Sequence, residues 1–269
     1  MFSWIRIGAL PLLFAALLVL PLRAQNSGQL EAGPPPLHSA DLPAPGATPA
    51  ELEKSGDELR ADKNYRDAID FYQAALKGTP GNAELFNKIG ICQLEMQRYK
   101  EARKSFERAI HADRKYAIAY NNLGVVYYEM RNYSAAIRYY RKAISWQGDS
   151  ASYYNNLGAA YFSKKQFDQA ILNYSKAMAL DPDIFEHTSR GGVLAQLPSP
   201  EERAHYDYIL AKLYASTGDP ERSLHYLRKS MEEGYKDIKN VYKDKEFSAL
   251  RKDPRFGELM ATKTPAIPE

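Results

Sequence analysis

Apolar and small residues recur three and four positions apart along most of the chain between residues 49 and 237. This is the spacing of α-helices that bury one side. Short polar segments, such as residues 130–132 and 164–166, interrupt the pattern and predict turns. The pattern therefore predicts an all-α fold that is built from pairs of helices.

The pattern also repeats every 34 residues, and four units can be aligned. The recurring small residues are Gly56, Gly90, Gly124, Gly158, Ala68, Ala102, Ala136 and Ala170, and the recurring aromatic residues are Tyr72, Phe106, Tyr140 and Tyr174. A small residue where two helices cross allows close approach of their backbones, and a large ring fills the space beside that contact. We therefore interpret the repeat as a packing pattern.

Two motifs indicate the family. The segments Tyr120–Gly124 and Tyr154–Gly158 share the order aromatic, Asn, Asn, Leu, Gly, and Pro80 and Pro182 end their units. These features closely resemble the tetratricopeptide repeat, a 34-residue helix-turn-helix unit. The resemblance implies a right-handed α-solenoid in which the first helix of each unit lines the concave side.

The repeat and the segments around it predict the organisation of the chain. We expect a signal peptide or uncleaved anchor at 1–24, a Pro/Ala/Gly-rich linker at 25–48, repeats at 49–82, 83–116, 117–150 and 151–184, an insertion at 185–203, a degenerate fifth repeat at 204–237 and a capping segment at 238–269. Phe247, Leu250, Phe256 and Leu259 are expected to cover the apolar face that the last repeat would otherwise expose.

The N-terminal segment predicts export. The apolar run Ile7–Leu22 follows a basic start and precedes Ala24, which is typical of a secretory signal. The run is short for a bilayer span, which needs roughly 20 apolar residues, and Pro11 and Pro21 interrupt it. Cleavage after Ala24 is our prediction, with a periplasmic or secreted protein as the result. An uncleaved anchor facing the periplasm remains the alternative.

Charge and cysteine content narrow the function classes. The formal net charge of +3 is small for 269 residues, which argues against nucleic acid as a partner and against broad binding to anionic lipid. We expect membrane contact only through an uncleaved N-terminal segment. Cys92 is the single cysteine, so no intrachain disulfide can form and the fold depends on packing.

The concave side implied by the resemblance gives the candidate binding residues. They are Asn87, Asn121 and Asn155; Ile91, Val125 and Ala159; and Leu94, Tyr128 and Phe162. The asparagines offer donors and acceptors to the backbone of an extended peptide, or they are simply solvated. The last three residues form an apolar strip that a partner binds, or that the insertion or tail of the same chain covers.

The leading hypothesis is a scaffold that binds a protein or peptide in this groove. The alternative is a membrane-tethered structural component that self-associates. Some members of the family bind a C-terminal carboxylate through asparagines at the positions of Ile91, Val125 and Ala159, so we expect no such binding here.

We predict no catalytic residue, no metal site and no cofactor. His38 lies in the linker, His111 near the end of a repeat, His187 in the insertion, and His205 and His225 in the fifth repeat. No pair of them has the spacing of metal ligands with Cys92 or with a carboxylate. Cys92 itself is interpreted as a small core residue.

Overall fold

Paired α-helices make up most of the fold. The computed structural model describes residues 46–186 and 199–262. The paired helices are α1 Pro49–Ala61, α2 Tyr65–Gly78, α3 Ala83–Glu95, α4 Tyr99–Ala112, α5 Ala117–Glu129, α6 Tyr133–Trp146, α7 Ala151–Ser163, α8 Phe167–Leu180, α9 Pro200–Thr217 and α10 Pro220–Glu232. Short 3-10 turns at Ile238–Tyr242, Lys245–Ser248 and Leu250–Lys252 lead to α11, Pro254–Ala261. The predicted signal or anchor, the linker up to residue 45 and most of the insertion lie outside the described residues.

Polar side chains fix where several helices begin. Thr48 accepts a hydrogen bond from the backbone N–H of Glu51, and the Glu51 carboxylate accepts one from the Thr48 N–H in return. Asn82 caps α3 and Ser199 caps α9 in the same way, each by accepting a hydrogen bond from a backbone N–H of the first turn. These caps satisfy N–H groups that have no partner inside the helix. As a result α9 begins at Pro200, earlier than the expected start of the fifth repeat at 204.

The turn inside each of the first four pairs has a left-handed residue that the sequence did not predict. Lys63, Gln97, Arg131 and Lys165 have φ of 62°, 58°, 57° and 59°. The next residue in each turn donates its N–H to a carbonyl five positions back, as Asn132 does to Tyr127 at 2.8 Å. This hydrogen bond ends the first helix and turns the chain into the second. In the α9–α10 pair Gly218 occupies the equivalent position with φ 80°.

The predicted packing of glycines against aromatic rings is confirmed. A Cβ atom added to Gly56, Gly90, Gly124 or Gly158 would lie 2.5 to 2.6 Å from the ring of Tyr72, Phe106, Tyr140 or Tyr174, respectively. All four rings are fully buried. Each glycine therefore allows the two helices of its pair to approach to a distance that an alanine would prevent.

The pairs stack side by side as a right-handed solenoid of helix-turn-helix repeats, as the sequence predicts. Each second helix packs against the first helix of the next pair, and α5 also contacts α3 and α7 directly. The side chains between them form continuous core clusters that cross from pair to pair. We call α1, α3, α5 and α7 the inner helices and α2, α4, α6 and α8 the outer helices.

The C-terminal cap covers the last pair as expected. Phe247, Leu250, Phe256 and Leu259 are at most 5 % exposed and join the core cluster of α8, α9 and α10. Arg251 holds the 3-10 turns together by donating to the carbonyl oxygens of Val241 and Asp244, both at 2.9 Å. These four residues therefore pack onto the last pair of helices.

All of the described residues belong to one compact unit, His38–Glu269. Every core cluster given above lies inside His38–Glu269. A unit with its own complete core is expected to fold alone. Of the described helices, none combines the length and the apolar character that a bilayer span requires.

Candidate protein-interaction surface

The predicted asparagines hold the inner helices together. Asn87 and Asn121 are 4 % and 0 % exposed, whereas Asn155 is half-buried. Asn122 donates to Asn87 Oδ1 at 3.0 Å, and Asn156 donates to Asn121 Oδ1 at the same distance. Both bonds join neighbouring inner helices, and an amide pair of this kind fixes the position of one helix on the next.

One further hydrogen bond connects these side-chain amides into a single network that spans three repeats. Asn121 donates to Asn122 Oδ1 at 3.2 Å, so the hydrogen bonds run from Asn156 through Asn121 and Asn122 to Asn87. Asn121 and Asn122 are both fully buried. The expectation that Asn87 and Asn121 offer their amides to a ligand is therefore wrong for the observed geometry, because other amides already occupy them. Asn155 is the accessible member of the predicted set.

The expected apolar strip is not an exposed surface. Leu94, Tyr128 and Phe162 are 6 %, 3 % and 2 % exposed. Tyr128 reaches the next inner helix, where its hydroxyl lies 2.8 Å from Ser163 Oγ, and burial raises the pKa of Tyr128. Loss of such a ring to alanine costs about 3–5 kcal/mol. Replacement of Tyr128 or Phe162 would therefore reduce stability, and it cannot serve as a separate test of binding.

The remaining predicted residues, Ile91, Val125 and Ala159, differ in their exposure. Val125 and Ala159 are 0 % and 6 % exposed, and both belong to the core cluster between α5 and its neighbours. Ile91 is half-buried and lies against the same cluster. Of the nine predicted residues, Ile91 and Asn155 are thus the accessible ones. Whether any of the nine contacts a partner stays a prediction.

A charged cluster that the sequence did not indicate lies on α1 and α3. The Lys88 ammonium contacts Glu53 at 2.6 Å and Asp57 at 2.8 Å, with Glu84 at 3.4 Å. Partial burial lowers the pKa of Lys88, but the hydrogen bonds and charges of Asp57 and Glu53 have the larger combined effect. The pKa of Lys88 is therefore raised. The Tyr72 hydroxyl also donates to Asp57 at 2.8 Å. A single ammonium is thus shared by three carboxylates, so each of them has a cationic partner within 4 Å.

Two carboxylates further along the inner helices are not neutralised. Glu95 ends α3 and Glu129 ends α5, and both occupy the same repeat position. Each stands one helical turn beyond a predicted groove position, after Ile91 and Val125, respectively. Both are exposed, and in the described part of the chain neither has a cationic nitrogen within 4 Å. Partial desolvation raises the pKa of Glu129.

Cys92 is fully buried, as the sequence predicts. Burial raises the pKa of the thiol to about 12, so the thiolate that acts as a nucleophile is not formed at neutral pH. Within residues 46–186 and 199–262, no three His, Cys, Asp or Glu side chains are grouped as metal ligands.

This geometry defines a helical repeat protein of the solenoid class, with rigid inner helices and a short accessible surface along them. Residues 59–124 and residues 116–183 each match a model of the tetratricopeptide repeat. Together the two matches span residues 59–183, and over this span the chain is similar to tetratricopeptide-repeat proteins. Such repeats are generally non-catalytic modules that bind other proteins. No curated protein sequence gives a significant match to the chain.

Some solved structures are similar to the chain at low sequence identity and with TM-scores below 0.5. A crystal structure of MamA is 24 % identical, with 68 % of this chain and 96 % of that chain covered and a TM-score of 0.47. MamA 41-end from Desulfovibrio magneticus RS-1 is 15 % identical, with 73 % and 97 % covered and a TM-score of 0.49. YrrB, described as a TPR protein with an unusual peptide-binding site, is 18 % identical, with 72 % and 90 % covered and a TM-score of 0.46.

Proposed function

We propose that the chain is a scaffold that binds an extended segment of a partner protein along its inner helices. The observation that carries this proposal is the pair Glu95 and Glu129, which are exposed at one repeat position without a described cation nearby. By contrast, Glu53 and Asp57 both contact the Lys88 ammonium. The free carboxylates favour a partner segment that carries Lys or Arg.

The spacing of the two carboxylates supports an extended ligand. Neighbouring packed helices lie about 8–10 Å apart. An extended chain rises about 3.3 Å per residue, so side chains about three residues apart match this distance. The accessible Ile91 lies one turn before Glu95, which places an apolar contact beside the first charge. We therefore expect a ligand with two basic residues about three positions apart and an apolar residue near one of them.

The test is affinity capture from the cell envelope with His38–Glu269 as bait, followed by measurement of the dissociation constant for each protein that is captured. The variant is Glu95→Gln with Glu129→Gln, and the matched control is Glu232→Gln with Glu258→Gln, two exposed carboxylates of α10 and α11. We expect the first variant to weaken binding about 10-fold, in a salt-dependent way, and the control to leave it unchanged. Equal loss in both variants, or no loss in either, would contradict the proposal.

We also propose that the chain is exported to the cell envelope. The basic start, the apolar run Ile7–Leu22 and Ala24 support this proposal, and they belong to the sequence outside the described residues. Mass spectrometry of the N-terminus in the producing cell tests it. A mature chain that begins near Gln25 is the expected result. An intact N-terminus on membrane-bound protein would favour the anchor, and an intact N-terminus on cytoplasmic protein would contradict export.

A further inference from the structure

The outer helices carry a row of cations that the interaction surface does not use. Lys104 of α4 and Arg138 of α6 occupy one repeat position, and Arg108 and Lys142 occupy another. All four are exposed, and Arg141 extends the row. In the described part of the chain none of the five lies within 4 Å of a carboxylate oxygen. Since equal positions in successive repeats stack side by side, these charges form one patch.

The composition of the two helices explains why the patch stays positive. α6 contains Arg and Lys but no Asp or Glu. α4 has two glutamates, and one of them, Glu107, pairs with Arg103 at 3.7 Å. The near-neutral charge of the whole chain thus hides an uneven distribution, with free carboxylates on the inner helices and free cations on the outer ones.

Large apolar side chains are exposed on α6 and on α8, the outer helix of the next repeat. Trp146 of α6 is 41 % exposed, and Leu172 and Leu180 of α8 are 52 % and 45 % exposed. Leu180 stands at the repeat position of Trp146, and Leu172 at that of Arg138. By repeat position, the apolar side chains therefore continue the same outer surface onto the next repeat, and grouped exposed apolar residues of this kind mark interaction sites.

Trp146 joins the two parts of the patch. The Lys142 ammonium lies 4.5 Å from the centre of the indole ring, and the Lys115 ammonium lies 5.8 Å from it. An indole flanked by ammonium groups can place its ring at the level of lipid headgroups while the cations contact phosphates. Cations with exposed apolar residues on one helical surface are typical of interfacial membrane binding.

We propose that this outer surface of α4, α6 and α8 binds an anionic lipid bilayer. The cations suit the phosphate groups, and Trp146, Leu172 and Leu180 supply apolar contacts with the acyl boundary. An acidic polypeptide would account for the cations but not for three exposed apolar residues without a groove to hold a chain. The site is separate from the inner helices, so a scaffold bound to a membrane keeps Glu95 and Glu129 free for a partner.

The experiment uses His38–Glu269, which omits the N-terminal apolar run and in which Trp146 is the single tryptophan. Its fluorescence is recorded during titration with phosphatidylcholine vesicles that contain phosphatidylglycerol, and with phosphatidylcholine vesicles alone. We expect a blue shift and saturable binding only with the anionic vesicles, which high salt reverses.

A triple variant tests the assignment of the patch. Each Lys or Arg near an anionic surface contributes about fivefold in partitioning, so Lys104→Gln, Arg138→Gln and Lys142→Gln together are expected to reduce binding about 100-fold. The matched control removes three exposed lysines of the cap: Lys236→Gln, Lys239→Gln and Lys243→Gln. All six side chains are exposed, so folding is expected to be unchanged.

Three outcomes would overturn the proposal. The first is no binding to the anionic vesicles at low salt. The second is equal loss in the two triple variants, which would show an effect of net charge alone. The third is binding of soluble polyglutamate without binding of vesicles, which would assign the patch to an acidic polypeptide. None of these outcomes affects the test with Glu95 and Glu129, which lie on the inner helices.

Discussion

Substitution of Gly124 by alanine tests the packing on which the whole fold depends. The added Cβ atom would lie 2.5 Å from Cε1 and 2.6 Å from Cδ1 of Tyr140. The ring is fully buried, so it cannot move away into solvent. Normal contact requires a separation of about 3.5 Å or more, and the ring or the helices must therefore shift by about 1 Å.

The net effect is the difference between two opposing contributions. Overpacking of a well-packed core costs about 1–3 kcal/mol. Replacement of glycine by alanine in a helix returns about 1 kcal/mol through higher helix propensity. We therefore expect Gly124→Ala to reduce the free energy of unfolding by up to about 2 kcal/mol.

Gly257 of α11 provides a matched control. It also lies inside a helix, but nothing lies within 4 Å of a Cβ atom added there. Gly257→Ala should therefore show the propensity effect alone and stabilise the protein by about 0.5–1 kcal/mol. The same chemical substitution is thus expected to have opposite signs at the two positions.

The assay is urea denaturation of His38–Glu269 followed by circular dichroism at the helical band. Arrays of repeats do not always unfold in one step, so hydrogen exchange of α5 and α6 should accompany it. A double variant with Tyr140→Leu relieves the contact, and Gly124→Ala should lose its penalty in that background. If Gly124→Ala stabilises the protein as much as Gly257→Ala does, the proposed close approach is refuted.

Three further predictions concern single side chains. Tyr72→Phe should reduce the free energy of unfolding, measured by urea denaturation, by about 1–2 kcal/mol because it removes a hydrogen bond to the Asp57 carboxylate. Tyr140→Phe should reduce it by less than about 0.5 kcal/mol because the Tyr140 hydroxyl has no partner among the described residues. Equal losses in the two variants would contradict this prediction. Burial raises the pKa of Asp207 to about 6 from an ordinary 3.8, so the folded state binds the carboxyl proton more tightly than the unfolded state does. The free energy of unfolding should therefore fall by up to about 3 kcal/mol as pH rises from 4 to 7. In thermal denaturation, the stability of Asp207→Asn should not fall over this pH range. If its stability depends on pH as that of the unsubstituted protein does, other groups cause the dependence. Arg131→Gly should stabilise the protein by about 0.5–1 kcal/mol because glycine adopts φ near 57° without strain, and a loss in the melting temperature would argue against strain there.

Much of the fold was predictable because its pattern is local and repeated. The 34-residue period by itself assigns Gly90 and Phe106 to one contact, and the other pairs follow from it. The apolar spacing after residue 237 likewise indicates which side chains close the array. By contrast, the left-handed turn at Gln97 has no glycine or asparagine to mark it, so the sequence gives no sign of its conformation.

The candidate site was harder to predict, for a reason that applies to every repeat protein. The period of a helix tells which side of it a residue occupies, but not how closely the next repeat covers that side. Asn121 and Asn155 occupy equal positions, yet Asn121 is fully buried between two neighbouring helices while Asn155 stays accessible. The same uncertainty applied to Tyr128, whose hydroxyl reaches Ser163 on the next repeat.

The sequence alone determined the helical class, the repeat, the contact of each glycine with its aromatic ring and the apolar cap, because these follow from residue types at fixed short spacings. The tertiary structure decided which inner-helix residues remain accessible, that Glu53 and Asp57 share the Lys88 ammonium, and that Glu95 and Glu129 have no described cationic nitrogen within 4 Å. These features depend on distances between helices that are far apart in sequence. Burial and charge pairing are properties of that arrangement, and no single repeat contains them.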